Sequence, residues 1–170
     1  MTAYILMGVA GSGKTTVGQR VAQELGLPFY EGDEFHPAEN VAKMSSGIPL
    51  DDTDRVPWID AIVGALNAKQ STDAVVACSA LSRFVRERIR SGLEEPAKFI
   101  WLSARPEVIE ERLRNRGQHY MKAGMLASQL AALQVPQTAQ QVSVEQPIDD
   151  VVARVIQIIQ GGDATLSAQS

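Results

Sequence analysis

Short unbroken apolar runs alternate along this chain with longer segments in which apolar residues recur every three or four positions. Tyr4-Ile5-Leu6-Met7 is such a run, stopped by Gly8, and reads as a strand buried on both faces. Val17, Val21 and Leu25 then fall four apart, one face of a helix over 14–25 that Gly26 and Pro28 close. Phe29-Tyr30 begins a second strand, 74–78 is a third, 99–102 a fourth and 141–144 a weaker fifth, with helices expected over roughly 55–69, 82–91, 106–115 and 148–160. In the last helix Ile148, Val151, Val152, Val155, Ile156 and Ile159 trace one face. Pro147 suits its first turn, and Asp149 and Asp150 sit where the helix dipole favours negative charge. Strands alternating with helices predict an α/β fold, a parallel sheet with helices on both faces. No repeat or linker interrupts the pattern, so one domain over 1–162 is expected, followed by a disordered tail over 163–170 rich in Ser and Ala.

Composition narrows the class. A chain of 170 residues with 45% hydrophobic and 21% charged residues is ordinary for a globular domain, and at this size about 70% of the unfolded surface is buried on folding. The formal net charge of −4 argues against a nucleic-acid binder, which needs a cationic surface, although local basic clusters can still hold a small phosphorylated ligand. The single Cys78 excludes an internal disulfide and a thiolate zinc site and fits a reducing compartment. Met1-Thr2-Ala3-Tyr4 has neither the basic start of a secretory signal nor the glycine that myristoylation needs, and no apolar run approaches the ~20 residues of a membrane span. A cytoplasmic protein with no membrane partner is expected.

Gly8-Val9-Ala10-Gly11-Ser12-Gly13-Lys14-Thr15 matches G-x-x-x-x-G-K-[ST], between a predicted strand and a predicted helix. Glycines let the backbone curl so that successive N–H groups point inward at phosphate oxygens, and the helix adds its unpaired donors and positive dipole end. Lys14 is placed to reach the β- and γ-phosphates, the Thr15 hydroxyl to hold Mg²⁺, and Thr16 follows on the same turn. A plain glycine-rich turn would not require Lys14-Thr15 at this offset. A dinucleotide fingerprint would need glycine where Thr16 stands. The loop therefore points to a nucleoside triphosphate with Mg²⁺.

No Asp-x-x-Gly and no Asn-Lys-x-Asp occurs, which argues against a GTPase switch. Instead Gly32-Asp33-Glu34-Phe35-His36-Pro37 follows the second strand, and Lys43 and Arg55 come soon after. Asp33, at the carboxyl edge of the sheet, could accept a proton from an incoming hydroxyl or hold a metal-bound water, or simply cap a turn. His36 and His119 are the only histidines, and both fall in candidate site segments; His36 could equally be a plain surface or core residue. Arg83 and Arg90 each have Glu87 at helical spacing, whereas Arg86 and Arg88 have no such acid, which leaves the choice between those two open. Arg114 has Glu110 and Glu111 behind it, but Arg112 and Arg116 lie four apart without an acid partner in sequence. That repulsion suits a polyphosphate site, or two exposed arginines that water tolerates. The polar segment from about 115 to 126 suits a mobile lid.

The stretches quoted, together with Asn40-x-x-Lys43-Met44-x-x-Gly47-x-Pro49-Leu50, Asp52-x-Asp54-Arg55-x-Pro57-Trp58 and Cys78-Ser79-Ala80-Leu81, resemble the bacterial gluconate kinases of the nucleoside-monophosphate-kinase-like group from about residue 4 to 160. That resemblance implies a five-stranded parallel sheet with a lid, usually a homodimer, and transfer of the ATP γ-phosphoryl to the 6-hydroxyl of D-gluconate. It further implies that Gly8 to Thr15 bind ATP and Mg²⁺, that Asp33 orients or deprotonates the hydroxyl, that Arg116 clamps phosphates and that Arg112 lies near the adenine. His36, Lys43, Arg55 and Arg86 become candidates for the acid sugar, with His119 in the lid. Ser82 stands where the family commonly has Lys, Val85 where Tyr is common, and Gln118 where Gly often precedes the lid histidine. Two competing readings are a same-fold kinase for another small hydroxylated acid, such as a shikimate-like one, and a non-catalytic ATP-binding regulator.

Overall fold

The structure, a computed structural model, describes residues 1–68, 72–116 and 125–161. Five strands, β1 (Ala3–Met7), β2 (Phe29–Glu31), β3 (Ala74–Ala77), β4 (Ala97–Ser103) and β5 (Gln140–Ser143), form one sheet in the order β2-β3-β1-β4-β5. Every pairing is parallel. The helices are α1 (Lys14–Leu25), α2 (Ala38–Ser45), α3 (Asp52–Ala68), α4 (Arg83–Gly92), α5 (Pro106–Asn115), α6 (Met125–Ala132) and α7 (Ile148–Ile159).

Side chains alternate across each strand, so the sheet has two separate cores. Ile5, Met7, Val76, Cys78 and Phe99 pack with Trp58, Ile59 and Ile62 of α3 and Val85 and Ile89 of α4. Tyr4, Leu6, Val75, Ile100 and Leu102 pack on the opposite face with Val17 and Val21 of α1 and Val151, Val152 and Val155 of α7. This two-sided burial is why the strands read as continuous apolar runs rather than as alternating ones.

The strands and α1, α4, α5 and α7 lie within two residues of their expected bounds at each end. Helix α3 begins three residues earlier than expected, because Asp51 and Asp54 form a reciprocal cap. The Asp54 N–H donates to Asp51 Oδ1 at 2.8 Å, and the Asp51 N–H donates to Asp54 Oδ2 at 3.1 Å. Pro57 therefore lies inside the helix rather than at its start. Three elements were not foreseen: a 3-10 turn over Gly32–Phe35, α2 and α6. The lid expected over 115–126 lies mostly outside the described residues, as does the tail over 163–170.

The central strand β1 has β3 on one side and β4 on the other, so the chain leaves its carboxyl end into the crevice where open α/β sheets bind ligands. Gly32 fixes the neighbouring wall. A Cβ there would stand 2.4 Å from the Ala77 carbonyl oxygen and 3.2 Å from Cys78 Cα, both backbone atoms of the adjoining segment. Gly32→Ala should therefore lower stability by about 1–3 kcal/mol, the usual range for overpacking, read as a urea midpoint shift with an unchanged m-value.

Candidate active site

The loop from Gly8 to Gly13 curls out of β1 with its glycines in conformations that side chains disfavour. Gly11 has φ +83° and Gly13 has φ +92°. The Gly8 N–H donates to the Ser79 carbonyl at 3.2 Å, which ties the loop to the end of β3. Two cavities flank it. The first is lined by Ala10, Lys14 and Thr15 of the loop, by Asp33, His36 and Arg55, and by an apolar wall that includes Met44, Leu50, Trp58 and Leu81. The second, on the side of α7, is lined by Ser12, Thr16, Arg112, Val144, Gln146 and Ile148. Gly11, Gly13, Thr16 and Arg116 border both.

Lys14 Nζ donates to the Val9 carbonyl at 3.1 Å. Burial holds its ammonium below the ordinary lysine value, Asp33 and Glu31 pull it back up, and Arg116 pushes it further down. A polyphosphate would meet a cation already partly stripped of water. The Thr15 hydroxyl donates to Glu31 Oε2, and Glu31 Oε1 accepts from the Asp33 N–H at 3.3 Å. Glu31, which sequence reasoning missed, thus joins the threonine of the loop to the turn that carries Asp33. Its signal was the two-residue spacing to Asp33 at a strand exit. A hydroxyl beside a carboxylate at the foot of the phosphate loop is an oxygen donor set suited to Mg²⁺, which takes one or two protein oxygens and completes its shell with phosphates and water.

His36 is held from two sides. Its ring stacks on Trp58 with centroids 4.4 Å apart and planes 12° apart, while Nδ1 accepts from Asn40 Nδ2 at 3.2 Å. Asn40, 2% exposed, also donates to the Asp54 carbonyl at 2.9 Å. Burial lowers the His36 pKa, with Asp33 opposing the shift and Arg55 adding to it, which favours a neutral ring that keeps Nε2–H as a donor. The Trp58 indole N–H donates to the Gly32 carbonyl at 2.8 Å, so one tryptophan supports both the histidine and the turn bearing Asp33.

Other expected residues go elsewhere. Lys43 contacts both carboxylate oxygens of Asp54 at 2.9 Å and does not line the cleft. Arg55 does line it, while bonded to Asp52 at 3.0 Å. Arg88 pairs with Asp60 of α3, and Arg90 lies over the Phe99 ring at 4.7 Å. Arg112 donates to the Val144 carbonyl. Arg114 pairs with Glu110 at 3.6 Å as expected. His119 lies outside the described residues.

Arg86 is the main departure. It is 4% exposed and its guanidinium donates to the Ala80 and Leu81 carbonyls at 2.7 and 3.0 Å and to the Gln134 carbonyl at 2.7 Å. Arg86, which has no acid at helical spacing, thus clamps three backbone carbonyls. Those bonds hold Ala80, whose φ of +44° is left-handed, and with it the cleft-lining Ser79, Leu81 and Ser82. Ser82 also caps α4, accepting from the Val85 N–H at 3.3 Å, so both family departures at 82 and 85 stand on the cleft wall. Cys78 lies beneath this segment, its thiol pushed up to about 12 by burial.

Comparisons with known proteins agree with this layout. The chain matches the shikimate kinase family over residues 10–157. It is 42% identical over 165 residues to the thermoresistant gluconokinase of Escherichia coli, covering 94% of each. A crystal structure of a gluconokinase from Sinorhizobium meliloti superposes with a TM-score of 0.87 at 38% identity, covering 99% of this chain and 97% of that one. A shikimate kinase from Acinetobacter baumannii shares the fold at a TM-score of 0.56 but only 16% identity.

Arg86→Met should cost about 2–4 kcal/mol, since three carbonyls lose a charged donor, and guanidinium unfolding would read it. With relatives of this similarity over nearly the whole length, the chain belongs to the gluconokinase family, on the phosphate-loop fold that shikimate kinases share.

Proposed function

We propose that this protein is an ATP-dependent gluconokinase that transfers the γ-phosphoryl group to the 6-hydroxyl of D-gluconate, giving 6-phosphogluconate. The observation that carries this reading is one cleft bordered by Lys14 and Thr15 on one wall and by Asp33 and His36 on the other, in a chain of this family. Phosphoryl transfer asks the protein for in-line positioning and charge neutralisation rather than covalent chemistry. The triphosphate would run over the loop amides of Gly11 to Lys14 from the Arg112 cavity, with Thr16 beside it and Arg116 bordering both ends. Lys14 would draw charge from the transferred group. Asp33 would orient the acceptor hydroxyl and take its proton, while His36 and Arg55 would meet the hydroxyls and carboxylate of the acid sugar. The Thr15 hydroxyl and Glu31 carboxylate are the residues that would hold Mg²⁺, which would supply charge neutralisation to the polyphosphate.

Among the described residues no helix is long and apolar enough to cross a membrane. We further infer one catalytic domain over 1–162 acting in the cytoplasm as a homodimer, as the family resemblance implies. Roles for Lys43 and Arg86 at the carboxylate find no support in their positions.

Lys14→Ala should lower kcat/KM by about 10²–10³-fold or more, as loss of a charge-stabilising group does. Asp33→Asn should lower kcat by about 10²–10⁴-fold, the span of general-base catalysis, while the KM for ATP stays close to the parent value. Near-full kcat in Asp33→Asn would refute the base role. A coupled ADP-release assay over a panel of sugar acids and shikimate should give its strongest signal with gluconate. No turnover with gluconate, or turnover with shikimate alone, would overturn the acceptor assignment.

A further inference from the structure

Helix α6 presents Met125, Ser128, Gln129 and Ala132 to the cleft, one face at helical spacing. None of its described side chains is buried. It is held instead at two points. At its carboxyl end Leu133 packs on the core, and the next residue, Gln134, is fastened to the segment after β3: its N–H donates to the Leu81 carbonyl at 2.8 Å, and its own carbonyl accepts from Arg86 at 2.7 Å. In its middle, Gln129 Oε1 accepts from the Ala10 N–H at 2.7 Å, a short contact between positions 119 apart in sequence.

That N–H belongs to the phosphate loop, and its place along the loop matters. Ser12 faces only the Arg112 cavity, Gly11 and Gly13 border both, and Ala10 faces only the cavity that holds Asp33 and His36. A nucleotide whose base lay in the Arg112 cavity would bring its inner phosphates over Gly11 and Gly13 and its last phosphoryl to the Ala10 end. An amide oxygen on a backbone N–H is a neutral counterpart of a phosphoryl oxygen on the same donor.

We propose that Gln129 is a positioning residue that competes with the terminal phosphoryl of the triphosphate for the Ala10 N–H, so that ATP, and not ADP, displaces it and releases α6 from the loop. The Gln134 anchor stays in place, so displacement swings the middle of α6, and the faces of Met125, Ser128 and Ala132 with it, relative to the acceptor wall. The cleft thereby registers whether a transferable phosphoryl is present.

The proposal rests on the reading of this cleft as a phosphoryl-transfer site, and its test uses nucleotide alone. ADP and a non-hydrolysable ATP analogue, each with Mg²⁺ and no acceptor, are titrated calorimetrically into the parent enzyme, Gln129→Ala and Gln129→Glu, with thermal melts alongside. Gln129→Ala should bind the ATP analogue about 2- to 10-fold more tightly, the net worth of one amide hydrogen bond, with ADP affinity unchanged. Gln129→Glu should weaken the ATP analogue at least about 10-fold relative to ADP, because a carboxylate then faces the terminal phosphoryl. Equal shifts for both nucleotides, or unchanged or weaker binding of the ATP analogue by Gln129→Ala, would overturn the proposal; so would a lowered melting temperature with parallel losses for both nucleotides. Gluconate failing as acceptor while these titrations behave as expected would refute only the acceptor assignment. Absence of nucleotide binding by the parent enzyme would overturn both.

Discussion

The cleft depends on a hydrogen bond away from the phosphates, the one from the Trp58 indole to the Gly32 carbonyl. Gly32 must be glycine because the backbone of β3 passes against it, and the carbonyl it offers is buried. A buried carbonyl left without a donor would cost about 1–3 kcal/mol. Trp58 supplies the donor from α3 and uses its ring face to support His36. Two candidate acceptor groups, Asp33 and His36, are therefore positioned by one side chain rooted in the core between the sheet and α3. The phosphate half has a different root, the exit of β1 between β3 and β4. The two halves meet through Glu31, which touches both Thr15 and the Asp33 backbone.

Electrostatics divides along the same line. On the phosphate side the Lys14 ammonium, bonded to the Val9 carbonyl, is held below its usual pKa by burial. On the acceptor side Arg55 is tied to Asp52. An anion entering at the loop has to displace the Lys14–Val9 and Ala10–Gln129 contacts, and an acid sugar the Arg55–Asp52 pair.

Much of this was legible in the sequence because the forces involved are local. Strands β1 and β3 show because burial on both faces leaves no polar positions, and α7 shows because its apolar stripe is continuous. The phosphate loop shows because its geometry demands glycine. Helix α2 and the 3-10 turn were hidden by residues chosen for contacts rather than for periodicity: Asn40 is buried to bridge His36 and Asp54, which breaks any apolar stripe. The start of α3 was placed three residues late because the Asp51–Asp54 cap that opens it lies outside any apolar stripe. Arg86 stayed ambiguous because an arginine that serves carbonyls and one that serves a ligand both lack an acid neighbour. Gln129 left no trace at all, since its partner is a backbone N–H more than a hundred positions away.

The lone thiol has a practical consequence. Cys78 sits at the end of β3 with almost no exposure, and its thiol holds its proton to about 12. Reagents that alkylate or oxidise thiolates find no nucleophile there while the strand remains in register. Modification of this protein by such reagents therefore counts openings of the sheet itself, giving a chemical clock for native-state fluctuations that needs no engineered label.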